Sequence, residues 1–158
     1  MIHYQTRELI QLAHAKTEEI LNRHVSNWSV LFVKLHNYHW YVGSTQFFTL
    51  HQKFEELYNE AATNIDELAE RLLAAQGNPV ASMSEYLKTA TVKEAEGERS
   101  YEAMLDTLIG DFDLISKELN TDIATLEDEV GDDVTADMLI GIRQSVEKHN
   151  WMLRQYTR

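Results

Sequence analysis

The chain has 158 residues, 44% of them hydrophobic, no cysteine and a formal net charge of −12. That length supports one domain with a sizeable core, and the missing thiols exclude a disulfide framework and a thiolate metal site. The negative charge disfavours nucleic acid and anionic membranes as partners and favours cations.

The same reading extends to location. No apolar run approaches a membrane span, and Met1-Ile2-His3-Tyr4-Gln5-Thr6-Arg7-Glu8 lacks a basic region followed by an apolar stretch. The expectation is a cytoplasmic protein, one domain over residues 1–158. The basic residues are scattered from Arg7 to Arg158, without the basic face of a nucleic-acid reader.

One proline and six glycines leave room for long helices. Residues 1–15 read as a short helix or a loose tail. From about Thr17, Leu21, Val25, Trp28, Phe32, Leu35, His39 and Val42 recur at alternating intervals of four and three, the seam of an amphipathic helix. Gly43-Ser44-Thr45 ends it and offers a cap for the next. A second helix spans about Gln46 to Gln76 on Leu50, Phe54, Leu57, Ala61, Ile65, Leu68 and Leu72, and Gly77-Asn78-Pro79 stops it.

Residues 80–97 are too long for a tight hairpin and read as a crossover, with Ser84-Glu85-Tyr86-Leu87-Lys88 as one short helix. A third helix covers roughly Glu98 to Glu127, with Tyr101, Met104, Leu108, Phe112, Ile115, Leu119 and Leu126 inward. Glu127-Asp128-Glu129-Val130-Gly131-Asp132-Asp133 reads as an acidic loop. A fourth helix starts near Thr135 and carries Leu139, Ile142, Val146, His149, Leu153 and Tyr156. The fold class is all-α: a four-helix bundle of ferritin-like topology, with a long crossover between helices 2 and 3.

The chemistry concentrates in the first two helices. At ~100° per residue, His51, Glu55, Asp66 and Glu70 share a face of the second helix turned roughly 130° from its core stripe. They form two i,i+4 pairs, each able to offer two ligands. Fifteen residues, about 22 Å, separate the pairs, so one ion cannot bind both in one straight helix. Two readings remain, separate half-sites or a site shared between chains, and the spacing favours sharing. If two copies of this helix cross antiparallel about a two-fold axis, 51 faces 70 and 55 faces 66, and the dimer makes two equal sites. Tyr58, Asn59, Ala62 and Ala69, with Leu73 beyond, fill the face between the pairs as a packing surface would.

His39 stands on the core seam where leucine is expected and can reach the same place. Two imidazoles with Glu55, Asp66 and Glu70 suit Fe(II), Mn(II) or Zn(II), whereas calcium wants oxygen alone. The plainer readings differ: acidic pairs are usually a solvated face, and a seam histidine is usually a hydrogen-bonded core residue. The second applies to His149. His36 lies off the seam and reads as a neighbour of the site or a surface residue. Joint placement of five residues favours metal. No Glu-x-x-His occurs, so the usual di-iron arrangement inside one bundle is missing.

Lys34-Leu35-His36-Asn37-Tyr38-His39-Trp40-Tyr41, Phe47-Phe48-Thr49-Leu50-His51-Gln52-Lys53-Phe54-Glu55-Glu56-Leu57-Tyr58, Asp66-Glu67-Leu68-Ala69-Glu70-Arg71-Leu72-Leu73 and Gly131-Asp132-Asp133-Val134-Thr135-Ala136-Asp137-Met138-Leu139 together resemble the Dps family, the mini-ferritins. The resemblance covers about residues 17 to 156. It implies a hollow dodecamer with a ferroxidase centre at the dimer two-fold. His39, His51 and Glu55 match ligands from one subunit, Asp66 and Glu70 match those from the partner, and Trp40 matches a tryptophan beside the centre. Asp128, Asp133 and Asp137 match the acidic lining of three-fold iron pores.

The implied activity is oxidation of Fe(II) to Fe(III), usually with hydrogen peroxide as preferred oxidant and oxygen as the other. Ferric mineral is then stored inside, without an organic cofactor. Many members carry a Lys/Arg-Gly pair after His-Trp, where Val42-Gly43-Ser44-Thr45 stands here, and DNA-binding members often have a lysine-rich tail, where residues 1–16 offer only Arg7 and Lys16. DNA binding is therefore expected to be weak or absent. A nucleoid-associated DNA binder of the same shell type is the alternative, and an inert shell is a third. His3 and His14 read as tail histidines rather than a metal site.

Overall fold

A computed structural model describes the backbone from residue 2 to residue 157 and side chains from residue 11 to residue 157. Five α-helices and no strand occur among the described residues: α1 Ile2–Tyr41, α2 Phe47–Ala74, α3 Met83–Thr89, α4 Tyr101–Thr125 and α5 Asp133–Tyr156. The helix α1 packs along α2 and α4 along α5; the short α3 lies in the crossover, against α1. The all-α bundle with a helix in its long connection is as the periodicity predicts.

The core follows the seams. Leu21, Val25, Trp28, Leu35, Leu50, Phe54, Leu57, Ala61, Leu68, Leu72, Met104, Leu108, Phe112, Ile115, Leu119, Leu126, Leu139, Ile142, Val146 and Leu153 are all buried. Phe32, Ile65 and Tyr101 pack against this core only half-buried, and Tyr156 lies at its exposed edge. Removing one of the large aliphatic side chains costs about 2–5 kcal/mol, because the cavity relaxes only partly.

Several boundaries differ from the sequence reading. Residues 2–15 are neither tail nor separate helix: α1 runs unbroken for 40 residues, about 60 Å. Side-chain bonds tie its fourth turn to the rest of the bundle. The His14 Nε2 hydrogen-bonds the Ala75 carbonyl at 2.7 Å, and Lys16 pairs with Glu129. His3 lies outside the residues whose side chains are described.

No side chain caps α2 at its N-terminus; Ser44 Oγ instead accepts from the Gln46 amide within the turn. At the other end Gln76, not Gly77, adopts the left-handed conformation, with φ 64°. The Gln76 and Gly77 amides donate to the Leu73 and Leu72 carbonyls, a Schellman closure. A Cβ at Gly77 would stand 2.2 Å from Leu72 Cδ1, so any larger residue must push that buried methyl aside.

The acidic stretch is not a plain loop. Leu126–Val130 forms a π-turn continuing α4, closed by the Gly131 amide donating to the Leu126 carbonyl at 2.8 Å. Gly131 has φ 74°, where a Cβ is strained. Asp132 then caps α5, its side chain accepting from the Thr135 amide, so the helix begins two residues before the expected Thr135.

Buried polar pairs tie α1 to α4. Lys34 is 1% exposed, and its Nζ donates to Asp111 Oδ2 at 2.6 Å. His24 and Arg23 both hydrogen-bond Asp122, at 2.7 and 2.5 Å. Asn27 takes the Thr91 and Val92 amides on its Oδ1 and so fastens the crossover to α1.

Candidate metal centre

The turn between α1 and α2 folds His39 back against His51. Their rings stack with centroids 3.6 Å apart and planes 21° from parallel. Each Nδ1 lies on the other residue's backbone carbonyl: His39 Nδ1 at 2.7 Å from the His51 oxygen, His51 Nδ1 at 2.9 Å from the His39 oxygen. A carbonyl only accepts, so both Nδ1 atoms carry the proton. In the neutral imidazole each Nε2 then keeps its lone pair, the tautomer a metal ligand needs. His39 is therefore hydrogen-bonded, as the plain reading of a seam histidine requires, and its ligand nitrogen is still free.

The surrounding rings form a row. Phe47 covers the outer side of His51 at 4.9 Å, and Tyr58 stands edge-on to His39 at 5.4 Å. His36 stacks on Tyr58 at 3.8 Å, donates from Nδ1 to the Phe32 carbonyl and meets the Trp40 ring at 5.4 Å. From sequence, His36 reads as a neighbour of the site or a surface residue and Tyr58 as part of the packing face between the pairs, so their contact is not foreseen. The signal is the shared face: Tyr58 follows His51 by seven residues, two helical turns.

The carboxylates lie on the outer face of α2. Glu55, Asp66 and Glu70 are exposed and His51 is half-buried. Within one chain and among the described residues, no group of three or more His, Asp or Glu side chains could hold a metal ion. The structure thus brings His39 and His51 together and leaves Asp66 about 22 Å and Glu70 about 28 Å along the helix from His51. Trp40 is 68% exposed beside His36. Asp128 in the π-turn, and Asp133 and Asp137 one turn apart in α5, are exposed as well.

His149 stands apart. Its Nε2 bonds Glu60 Oε2 at 2.6 Å, and Ser145 holds the other oxygen of that carboxylate. Burial alone would raise the Glu60 pKa, but these two partners lower it. This bridge between α2 and α5 is the hydrogen-bonded core histidine expected at that position.

A family model for a ferritin-like domain matches residues 18–158. General stress protein 20U of Bacillus subtilis is 57% identical over 138 residues, 87% of this chain and 94% of that protein. The Dps crystal structure from Staphylococcus aureus superposes with a TM-score of 0.88 at 51% identity, over 90% of this chain and 95% of that one. The chain belongs to the Dps family of ferritin-like proteins. A second solved Dps, from Bacillus brevis, covers 96% of this chain and 98% of its own at 45% identity, with a TM-score of 0.88. The helix between α2 and α4 and the long crossover are thus features of a Dps bundle. No helix among the described residues is long and apolar enough to cross a membrane.

Proposed function

We propose that this Dps-family chain is a ferroxidase and iron store, with Fe(II) as substrate bound between two copies of the chain. His39, His51 and Glu55 of one copy and Asp66 and Glu70 of the other hold the iron. The observation that carries this reading is the pair of imidazoles locked Nδ1-to-carbonyl, with both Nε2 lone pairs free. The same bonds would satisfy two core histidines; metal binding adds a role for the two Nε2 atoms they leave over.

The donor set fits the reaction. Imidazole holds Fe(II) and leaves coordination positions open to an oxidant, while carboxylates favour the higher charge of Fe(III) and so drive the oxidation. Two ferrous ions give up one electron each; hydrogen peroxide takes both as its O–O bond breaks. The ferric product hydrolyses to oxyhydroxide and releases protons. Using peroxide in this way removes both reagents of hydroxyl-radical formation. Oxygen is the slower alternative oxidant.

The remaining assignments extend this proposal. Twelve copies enclose a cavity for the mineral, and Asp128, Asp133 and Asp137 repeat around three-fold pores that focus cations inward. Trp40 stands beside the centre. The protein works in the cytoplasm, without an organic cofactor. A twelve-subunit shell carries roughly −144 formal charges at −12 per chain, so it binds DNA weakly unless divalent ions bridge.

The test is Asp66→Ala with Glu70→Ala. Fe(II) oxidation followed with peroxide and with oxygen should slow strongly while the shell still assembles by size-exclusion chromatography. Unchanged rates in an intact shell would overturn the shared site.

A further inference from the structure

The two imidazoles of the proposed centre are not supported alike. His51 is closed on both sides, by Phe47 at 4.9 Å and by His39 at 3.6 Å. His39 is buried but stacks on one ring only, His51. The other ring against it is Tyr58, T-shaped at 5.4 Å and 89°. The hydrogen bond from Nδ1 to the His51 carbonyl fixes one atom of the ring and leaves rotation about the N–H···O direction to be stopped by packing.

Tyr58 is itself held. Its ring stacks on His36 at 3.8 Å with 21° between planes and meets Phe32 edge-on at 6.2 Å. His36 cannot turn freely, because Nδ1 donates to the Phe32 carbonyl at 2.7 Å and the Phe32 ring stands 4.4 Å away. The rings Phe47, His51, His39, Tyr58 and His36 form one row drawn from both α2 and α1, each in contact with the next.

From this geometry, and resting on the proposed ferroxidase reading, we infer that Tyr58, clamped by His36, is the positioning residue that aims His39 Nε2 at the metal. Tyr58 needs no contact with the iron. It supplies the second ring against His39, as Phe47 does for His51. A ligand ring that must be ordered on binding binds more weakly than one already ordered. The contribution belongs to the Tyr58 ring and not to its hydroxyl, since the contact with His39 is ring to ring.

Co(II) titration tests this, because the visible absorption of Co(II) reports ligand geometry without turnover. Tyr58→Phe should keep the wild-type spectrum and affinity. Tyr58→Ala and His36→Gln should each weaken Co(II) binding roughly three- to tenfold, the range of one aromatic pair, and change the absorption. His36→Phe, which keeps a ring under Tyr58, should restore both. Fe(II) oxidation by Tyr58→Ala should show a raised KM with a smaller change in kcat.

Tyr58 lies on the face proposed to meet the second copy, so shell size is measured for every variant. If Tyr58→Ala fails to assemble, the His36→Gln and His36→Phe pair decides. Wild-type affinity and spectrum in assembled His36→Gln or Tyr58→Ala would overturn the inference and leave the ferroxidase reading standing. A wild-type protein that binds no Co(II) would overturn that reading first.

Discussion

Replacing Lys34 by methionine should be among the most damaging single changes away from the metal centre. Lys34 is 1% exposed and donates to Asp111 Oδ2 at 2.6 Å across α1 and α4. Methionine fills much of the space but leaves the Asp111 carboxylate buried without its cation. Breaking a buried ion pair from one side costs about 3–5 kcal/mol, a large part of the ~5–15 kcal/mol that holds a typical domain. At ~2–4 °C per kcal/mol for a chain of this size, the melting temperature at pH 7 should fall by roughly 6–20 °C.

Burial already pushes the Asp111 carboxyl above the usual carboxylate range, and Lys34 pulls it back. Without Lys34 the carboxyl rises further. A folded-state pKa above the unfolded value of about 3.9 means that protonation favours the fold. The deficit of Lys34→Met should therefore be largest at neutral pH and shrink as pH falls through the folded-state pKa. Thermal unfolding by circular dichroism at several pH values reads this directly. Pairing Lys34→Met with Asp111→Leu should recover most of the loss, because no charge is then stranded. A single variant that melts within about 3 °C of wild type at pH 7, or a double variant as unstable as the single, would refute the reasoning.

Two further outcomes follow from the charges. Burial would raise the Asp122 pKa, but hydrogen bonds from His24 and Arg23 outweigh it and hold the carboxyl below its usual value. Its stabilising contribution is then full above about pH 4 and is lost as pH falls through the lower folded-state pKa. Asp122→Asn should therefore cost stability at pH 7 and lessen the dependence on pH below about 4, checked by melting temperature against pH. A gel-shift series should show no DNA complex at moderate salt without magnesium, and weak binding at most when magnesium is added; tight magnesium-independent binding would contradict the charge argument.

The helices were readable because each seam repeats for six or seven positions. What escaped depends on distant partners or on local geometry without a pattern. Nothing in the sequence around Lys34 marks it as buried, because its partner Asp111 lies 77 residues away. His24 and Asp122 are separated by 98 residues in the same way. The chain has no stop signal between Thr6 and Thr17, and the ties of His14 to Ala75 and Lys16 to Glu129 are tertiary. The π-turn at Leu126–Val130 hides in an acidic run that resembles a loop.

At the candidate centre, helical spacing alone put His51, Glu55, Asp66 and Glu70 on one face. The reciprocal bonding of His39 and His51 could not be read, because it depends on how the four-residue turn after Val42 folds α2 back onto α1. The row of rings beyond it depends on the same fold.

The central claim is that each centre takes His51 and Glu55 from one copy and Asp66 and Glu70 from another. Coexpression tests it: a His51→Ala/Glu55→Ala chain and an Asp66→Ala/Glu70→Ala chain are combined in equal amounts. Random pairing makes about half the dimers mixed. In each mixed dimer one site carries every lesion and the other carries none. The mixed shells should therefore oxidise Fe(II) at about a quarter of the wild-type rate, well above either variant alone. If the site lay within one chain, no intact set would exist in the mixture. Mixed shells as inactive as the two variants would contradict the account.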